Sequence, residues 1–244
     1  MILIEWLIPI FVALWTVFMA VLGFPFFLLA PFSRFTTSFI RVWARVILGL
    51  AGTRLEIKGA EHITPGKTFV FIANHQSLFD IPVIFCSSPI LPRMVAKKEL
   101  FSIPFFGWGI RLLRYIPIDR GNHVSAMESL DKAAAQIRSG ISVLLFAEGT
   151  RSRDGELQSF KKGSFVLALK SGAPIIPVTI SGSIAVHHRD RLLRIRTQKK
   201  ISVTFHAAID TAGYGIEGRD SLMSDVRNII ETRYQEVKEL SKGF

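Results

Sequence analysis

Cysteine is almost absent from this 244-residue chain. The single thiol, Cys86, excludes an internal disulfide and, in an apolar stretch, reads as a core residue. Other signatures are missing too: there is no Gly-x-Ser-x-Gly elbow, no P-loop and no cysteine–histidine ligand cluster. One Gly-x-Gly-x-x-Gly string, residues 213–218, falls after the last predicted strand. Only one helix follows it, so no dinucleotide-binding βαβ unit forms there. His187 and His188 lack partners for a metal site, and His62, His123 and His206 read as ordinary surface or strand residues. No metal and no cofactor are expected. Repeats and low-complexity tracts are also absent.

Charge is missing from one long stretch. Residues 6–33 carry no charged side chain, although 49% of the chain is hydrophobic and the mean hydropathy is +0.36. A run of about 20 apolar residues suffices to cross a bilayer. Pro9, Gly23, Pro25 and Pro31 interrupt this one, and the next segment, residues 35–50, is amphipathic, with Arg41 and Arg45 on one face. The expectation is a two-helix membrane anchor over residues 1–50, the first helix deeply inserted and the second near the interface. Arg34, Arg41 and Arg45 follow the apolar run and only Glu5 precedes it, which places residues 51–244 on the cytoplasmic side of an inner membrane. A cleaved signal peptide fits poorly, for want of a basic first region and a small-residue cleavage site.

Acidic residues are outnumbered, giving a formal net charge of +11. The excess is local: residues 151–200 hold eleven Lys/Arg against three Asp/Glu, whereas residues 201–244 hold five against seven. Nucleic acid is one conventional partner for such a block. In a chain anchored in lipid, anionic headgroups, phosphorylated substrates or an acidic carrier explain it more economically, and no nucleic acid is expected.

After residue 50 strands and helices alternate. Strands are expected at 54–58, 67–73, 92–96, 114–118, 141–147, 174–180 and 201–205, and helices at 77–86, 99–111, 123–139, 162–171 and 221–241. Ser125 and Glu128 have capping-box spacing at the start of the third helix, and Gly140 stops it. The fold class is α/β: a mixed, largely parallel sheet covered by helices, behind the hydrophobic anchor.

Three chemistry-bearing stretches each follow or end a strand. In residues 74–80, Asn-His-Gln-Ser-Leu-Phe-Asp, a neutral His75 at a strand's carboxyl end can act as a general base, and Asp80 can hold its second nitrogen. Ser77 as a helix cap with Asp80 three residues on is an equally open reading of the same residues. Asp119 and Arg120 follow the 114–118 strand. The third stretch, Glu148-Gly149-Thr150-Arg151, has a glycine for close backbone approach, a hydroxyl, and a guanidinium fork that suits phosphate. Arg120 would grip the same anion, Glu148 would accept from polyol hydroxyls, and Lys162 would extend the anion site.

These residues carry a resemblance. Asn74-His75-x4-Asp80, Ile118-Asp119-Arg120, Phe146-Ala147-Glu148-Gly149-Thr150-Arg151-Ser152 and Ile175-Ile176-Pro177-Val178 resemble, in order, four motifs of the glycerolipid acyltransferase family, in particular its bacterial-type 1-acylglycerol-3-phosphate acyltransferases. Ala147 stands where that family usually has proline, which removes no chemical group. The resemblance implies transfer of a fatty acyl group from acyl-CoA or acyl carrier protein to the sn-2 hydroxyl of lysophosphatidic acid, making phosphatidic acid among membrane lipids. His75 would be the base and Asp80 its orienting partner, with no serine or cysteine nucleophile. Arg120 and Arg151 would bind phosphate, Glu148 the glycerol, and amides at the start of the 77–86 helix the oxyanion. Other lyso-acceptors, or lipid binding without catalysis, are the alternative readings.

Overall fold

The structure, a computed structural model, describes residues 2–118, 123–215 and 217–240. The chain opens with α1 (Ile2–Leu29) and α2 (Arg34–Leu50), followed by β1 (Arg54–Lys58), β2 (Val70–Ala73), α3 (Asp80–Ser87), β3 (Arg93–Lys97), α4 (Phe106–Leu112) and β4 (Ile116–Ile118). Then come α5 (His123–Arg138), β5 (Val143–Phe146), α6 (Lys162–Ser171), β6 (Ile175–Ser181), a short α7 (Ser183–Val186), β7 (Lys200–Phe205) and α8 (Arg219–Leu240). The strands form one sheet in the order β1-β7-β6-β2-β5-β3-β4. Every pairing is parallel except β6 with β7, so the mixed, largely parallel sheet is as expected.

The central strands are apolar throughout because both faces are covered. On β2, Phe71 and Ala73 join the cluster that holds α2 and α3, while Val70 and Ile72 join the one that holds α5, α6 and α8. Leu144 of β5 faces the first cluster, and Val143 and Leu145 face the second. Helices thus sandwich the sheet, α1 to α3 on one side and α5, α6 and α8 on the other.

The expected helix at 99–111 is two pieces. A 3-10 turn covers Lys98–Ser102, the chain extends at Ile103, and α4 begins only at Phe106. Pro104 is the reason, since it drives the preceding residue out of the α region. Gly107 completes the fold-back: a Cβ there would lie 2.5 Å from the carbonyl of Phe101. The Ser125–Glu128 pair lies outside the described side chains, while Gly140 does end the helix in positive φ, at 97°.

Both helices expected within residues 1–50 are present, and they differ in burial. Among the described residues α1 alone is long and apolar enough to cross a membrane. α2 instead buries Ile40, Ala44, Ile47 and Leu48 in the cluster shared with α3 and the sheet, and Arg41 donates to the carbonyls of Ser88 and Pro89 just beyond α3. α1 is continuous through Pro9 and Pro25. Pro9 has no N–H, so the Glu5 carbonyl loses its helical donor and accepts from Ile195 N–H at 3.0 Å instead. At the other end Phe24 packs on Phe105 and Trp108, with ring centroids 5.8 and 5.9 Å apart. Both ends of α1 therefore rest on the same domain, and the helix lies along it.

Candidate active site

The register of the sheet assembles the site. Ala73, the last residue of β2, is level with Phe146 of β5 and Val178 of β6, so the chain leaves β2 and β5 side by side at the same carboxyl edge. Residues 74–80 and 147–153 are thereby brought together from about 70 positions apart, and Ser152 N–H donates to the His75 carbonyl at 2.9 Å.

His75 and Asp80 are paired. Nδ1 lies 2.8 Å from Oδ2, which also accepts the N–H groups of Gln76 (2.8 Å) and Ser77 (2.9 Å). Asp80 is fully buried, whereas the His75 side chain keeps 13% of its surface. With Nδ1 held, Nε2 is the nitrogen left for substrate. The ring stacks on Phe146 at 3.7 Å between centroids, which leaves it little rotational freedom.

The cap reading survives in half. Asp80 reaches back to Ser77 N–H as a capping box requires, but α3 starts at Asp80 itself, and Ser77 Oγ accepts from Phe79 N–H at 3.2 Å. One carboxylate oxygen thus both ends the loop and fixes the imidazole. A correction follows for the oxyanion. The amides of Gln76, Ser77 and Phe79 are engaged by side chains, which removes Ser77 and Phe79 from the amides considered there and leaves that of Leu78.

Glu148 also departs from expectation. It is 1% exposed; Oε1 accepts His75 N–H at 2.7 Å and Oε2 accepts Gln158 N–H at 3.0 Å. Buried between two amides, it does not face a polyol; it clips the β5 loop to the backbone of His75. Burial pushes its carboxyl up to about 7, against the pull of those two donors. Gly149, at φ 69°, makes the turn that lets the chain double back. Thr150 is exposed, and Arg151 is half-buried, its Nη1 without a hydrogen-bond partner among the described residues. Lys162 is engaged elsewhere, 3.8 Å from Asp220 at the start of α8. Arg120 lies outside the described residues.

Residues that the sequence reading did not single out complete the arrangement. Arg189 Nη1 donates to Thr150 Oγ1 (3.0 Å) and to the Arg151 carbonyl (2.8 Å). Burial first, then the neighbouring Arg189 charge, lowers the Arg151 pKa. Two guanidinium groups held together in this way make a rim ready for an anion. Asn74 exchanges hydrogen bonds with both backbone groups of Ile180 at 2.8 Å, tying β2 to β6. The Gln76 amide donates to Gly155 O and Tyr234 OH, which links the site to α8. Their partners lie 38 to 158 residues away in the chain and left no local trace.

Beside the pair lies an apolar cavity of about 390 Å³. Leu78 and Phe79, just beyond His75, line one part, Trp43 and Met19 from α2 and α1 another, and Met94 and Phe106 the far side. A base with a free nitrogen, a cationic rim and a greasy chamber stand within one strand-end cluster.

Residues 54–181 match the family model described as Acyltransferase. The chain belongs to the acyltransferase family. The chloroplastic 1-acyl-sn-glycerol-3-phosphate acyltransferase LPAT1 of Arabidopsis thaliana is 33% identical over 174 residues, 70% of this chain and 48% of the plant protein. The chain thus spans about half the length of that relative. A 1-acyl-sn-glycerol-3-phosphate acyltransferase of Borreliella burgdorferi is 30% identical over 84% of this chain and 81% of its own length. The crystal structure of PlsC, the LPA acyltransferase of Thermotoga maritima, superimposes with a TM-score of 0.81 at 28% identity, covering 97% of this chain and 96% of that one. In this acyltransferase the matched segment runs from β1 to the end of β6 and so contains both strand-end loops.

Proposed function

We propose that this acyltransferase moves a fatty acyl group from a thioester, acyl-CoA or acyl carrier protein, to the sn-2 hydroxyl of 1-acyl-sn-glycerol-3-phosphate, producing phosphatidic acid at the cytoplasmic face of the inner membrane. The observation that carries the reading is the His75–Asp80 pair, joined through Nδ1, on the same loop as Leu78 and Phe79 of the cavity wall and bonded through its backbone to the loop that bears Arg151. The names of the relatives support the acceptor.

Nε2 of His75 takes the proton from the acceptor hydroxyl as its oxygen attacks the thioester carbonyl. Asp80 keeps the proton of Nδ1 in place and stabilises the imidazolium, as a carboxylate does in hydrolase triads. The tetrahedral intermediate collapses with cleavage of the carbon–sulfur bond, and the imidazolium returns its proton to the departing thiolate. No acyl-enzyme forms. Arg151 and Arg189 hold the acceptor phosphate, with Arg120, two positions past β4 in the sequence, as a further cation. The cavity takes an acyl chain, and its volume falls within the roughly 300–1,000 Å³ of ordinary ligand sites.

The test is an assay of the purified full chain with labelled acyl-CoA and acyl carrier protein against a panel of lyso-acceptors. Wild type should acylate lysophosphatidic acid first, and His75→Ala should lower that rate by ~10²–10⁴ with the fold retained. A wild-type rate from His75→Ala removes the mechanism, and preference for a lyso-acceptor without phosphate removes the substrate.

A further inference from the structure

We propose that the segment joining α7 to β7, residues 187–199, is a second membrane-docking element, which inserts Leu192 and Leu193 into an anionic lipid surface beside the start of α1. The inference does not depend on which acceptor is acylated.

The first observation is exposure. Leu192 and Leu193 present 56% and 69% of their surface to solvent at the crest of the loop, although Ile195 two residues on is buried. Single exposed leucines need no explanation, but contiguous apolar surface does. Here the loop is joined to the start of α1. Ile195 N–H fills the Glu5 carbonyl that Pro9 leaves vacant, Arg194 pairs with the Glu5 carboxylate at 2.7 Å, and its guanidinium lies 5.9 Å from the Trp6 ring centroid. Leu3, Ile4 and Leu7, all exposed, flank Glu5 and Trp6 in the chain, so exposed leucines stand on both partners of this loop–helix contact.

The second observation is charge. Arg191, Arg194 and Arg196 line a pocket of about 200 Å³ with His188, floored by Ile184, Ala185 and Val186. Arg194 is neutralised by Glu5, to which Arg196 is also drawn electrostatically, whereas Arg191 and Arg196 both remain exposed. Asp190 is the one acid in the loop. Apolar tips ringed by cations match an anionic bilayer, where leucine reaches the acyl region and arginine the headgroups. A soluble acidic partner would use the arginines but give the exposed leucines and the adjoining face of α1 nothing to bury against.

The loop also reaches the active site. Its first residues hold the β5 loop: His188 Nε2 lies 2.8 Å from the Arg153 carbonyl, and Arg189 bonds Thr150 and Arg151. Docking residues 191–196 on lipid would therefore present the cationic rim at headgroup depth, where a lipid phosphate lies.

The experiment uses the full chain in a Cys86→Ser background, with an environment-sensitive fluorophore on Leu193→Cys. On vesicles of phosphatidylglycerol and phosphatidylcholine we expect a blue shift, and quenching by lipids brominated on the acyl chain. Leu192→Asp with Leu193→Asp should weaken binding to those vesicles at least about tenfold. Arg191→Gln and Arg196→Gln should each weaken it about fivefold, and less at high salt. Unchanged thermal unfolding of these surface variants confirms that the fold is intact. A label on Leu193→Cys that stays unquenched while one on Leu14→Cys in α1 is quenched overturns the proposal. So does a leucine variant that keeps its vesicle affinity but loses transfer from acyl carrier protein, which would assign the patch to a protein partner.

Discussion

The two longest helices, α1 with 28 residues and α8 with 22, both lie lengthwise on the domain, yet their outer faces differ in chemistry. α8 buries Leu222, Val226, Ile230 and Tyr234, every fourth residue, against the sheet and α6. Its outer face is Ser221, Ser224, Asn228, Thr232, Gln235 and Glu239, with Arg227–Glu231 as an ion pair one turn apart. α1 buries Ile8, Met19 and Phe27, and turns Leu7, Phe11, Leu14, Phe18, Val21 and Leu22 outward. One helix is amphipathic because water covers its back. The other is apolar on its outer face as well, the face that the proposed membrane attachment sets against lipid. The cavity near the His75–Asp80 pair is lined from the α1 side of the sheet, where the two kinds of surface meet.

The comparison breaks most sharply at the core of α8. Ile230→Ala should cost roughly 2–5 kcal/mol in denaturant unfolding, by the transfer and cavity terms of a fully buried isoleucine, and leave KM unchanged. A variant of wild-type stability would mean that α8 is not a structural helix. On α1 the pattern inverts. Phe18→Glu should leave unfolding of the water-facing domain within about 0.5 kcal/mol. Membrane affinity, measured by vesicle flotation, should fall by up to roughly 3 kcal/mol, the cost of a charge in hydrocarbon. Flotation equal to wild type would show that this face of α1 never meets lipid.

The smallest effect concerns pH and sharpens the boundary itself. Glu148 has a folded pKa near 7, above its ordinary 4.5, so the folded state binds the proton more tightly than the unfolded one. Stability from this group is full below pH 4.5 and is lost as pH rises through 7, by at most ~1.4 kcal/mol per unit. His206, packed near α8, acts in the opposite sense: burial lowers it to about 4, so its contribution is present above pH 6.5 and lost as pH falls through 4. The readout is the difference between wild type and Glu148→Gln in unfolding free energy from pH 4.5 to 7. A flat difference would place the Glu148 carboxyl in water.

Much of the fold was legible because the signals are local. Seven apolar or β-branched runs punctuated by glycine and proline mark the seven strands, each within about three residues of where it lies. The failures have equally local causes. Pro104 divides a segment whose apolar spacing otherwise reads as one helix, and the prolines of α1 suggested interruptions where a neighbouring amide repairs the loss at Pro9. The α2 segment reads as amphipathic with either lipid or protein beneath it, since its residues serve equally against both.

The site divides in the same way. His75, Asp80 and Arg151 could be named from residue type and position after a strand, and the five-residue spacing of the first two suffices to join Nδ1 to Oδ2 once α3 turns. That chemistry is encoded within a few residues, and so the sequence alone determined it. Glu148 looked like a ligand for substrate until the register of β2 and β5 set it under the His75 amide, and Arg189 looked like one of eleven cations until the loop after α7 folded against Thr150. Only the tertiary structure decided these, because parallel pairing joins residues remote in the chain, and burial then determines whether a charge meets substrate or backbone.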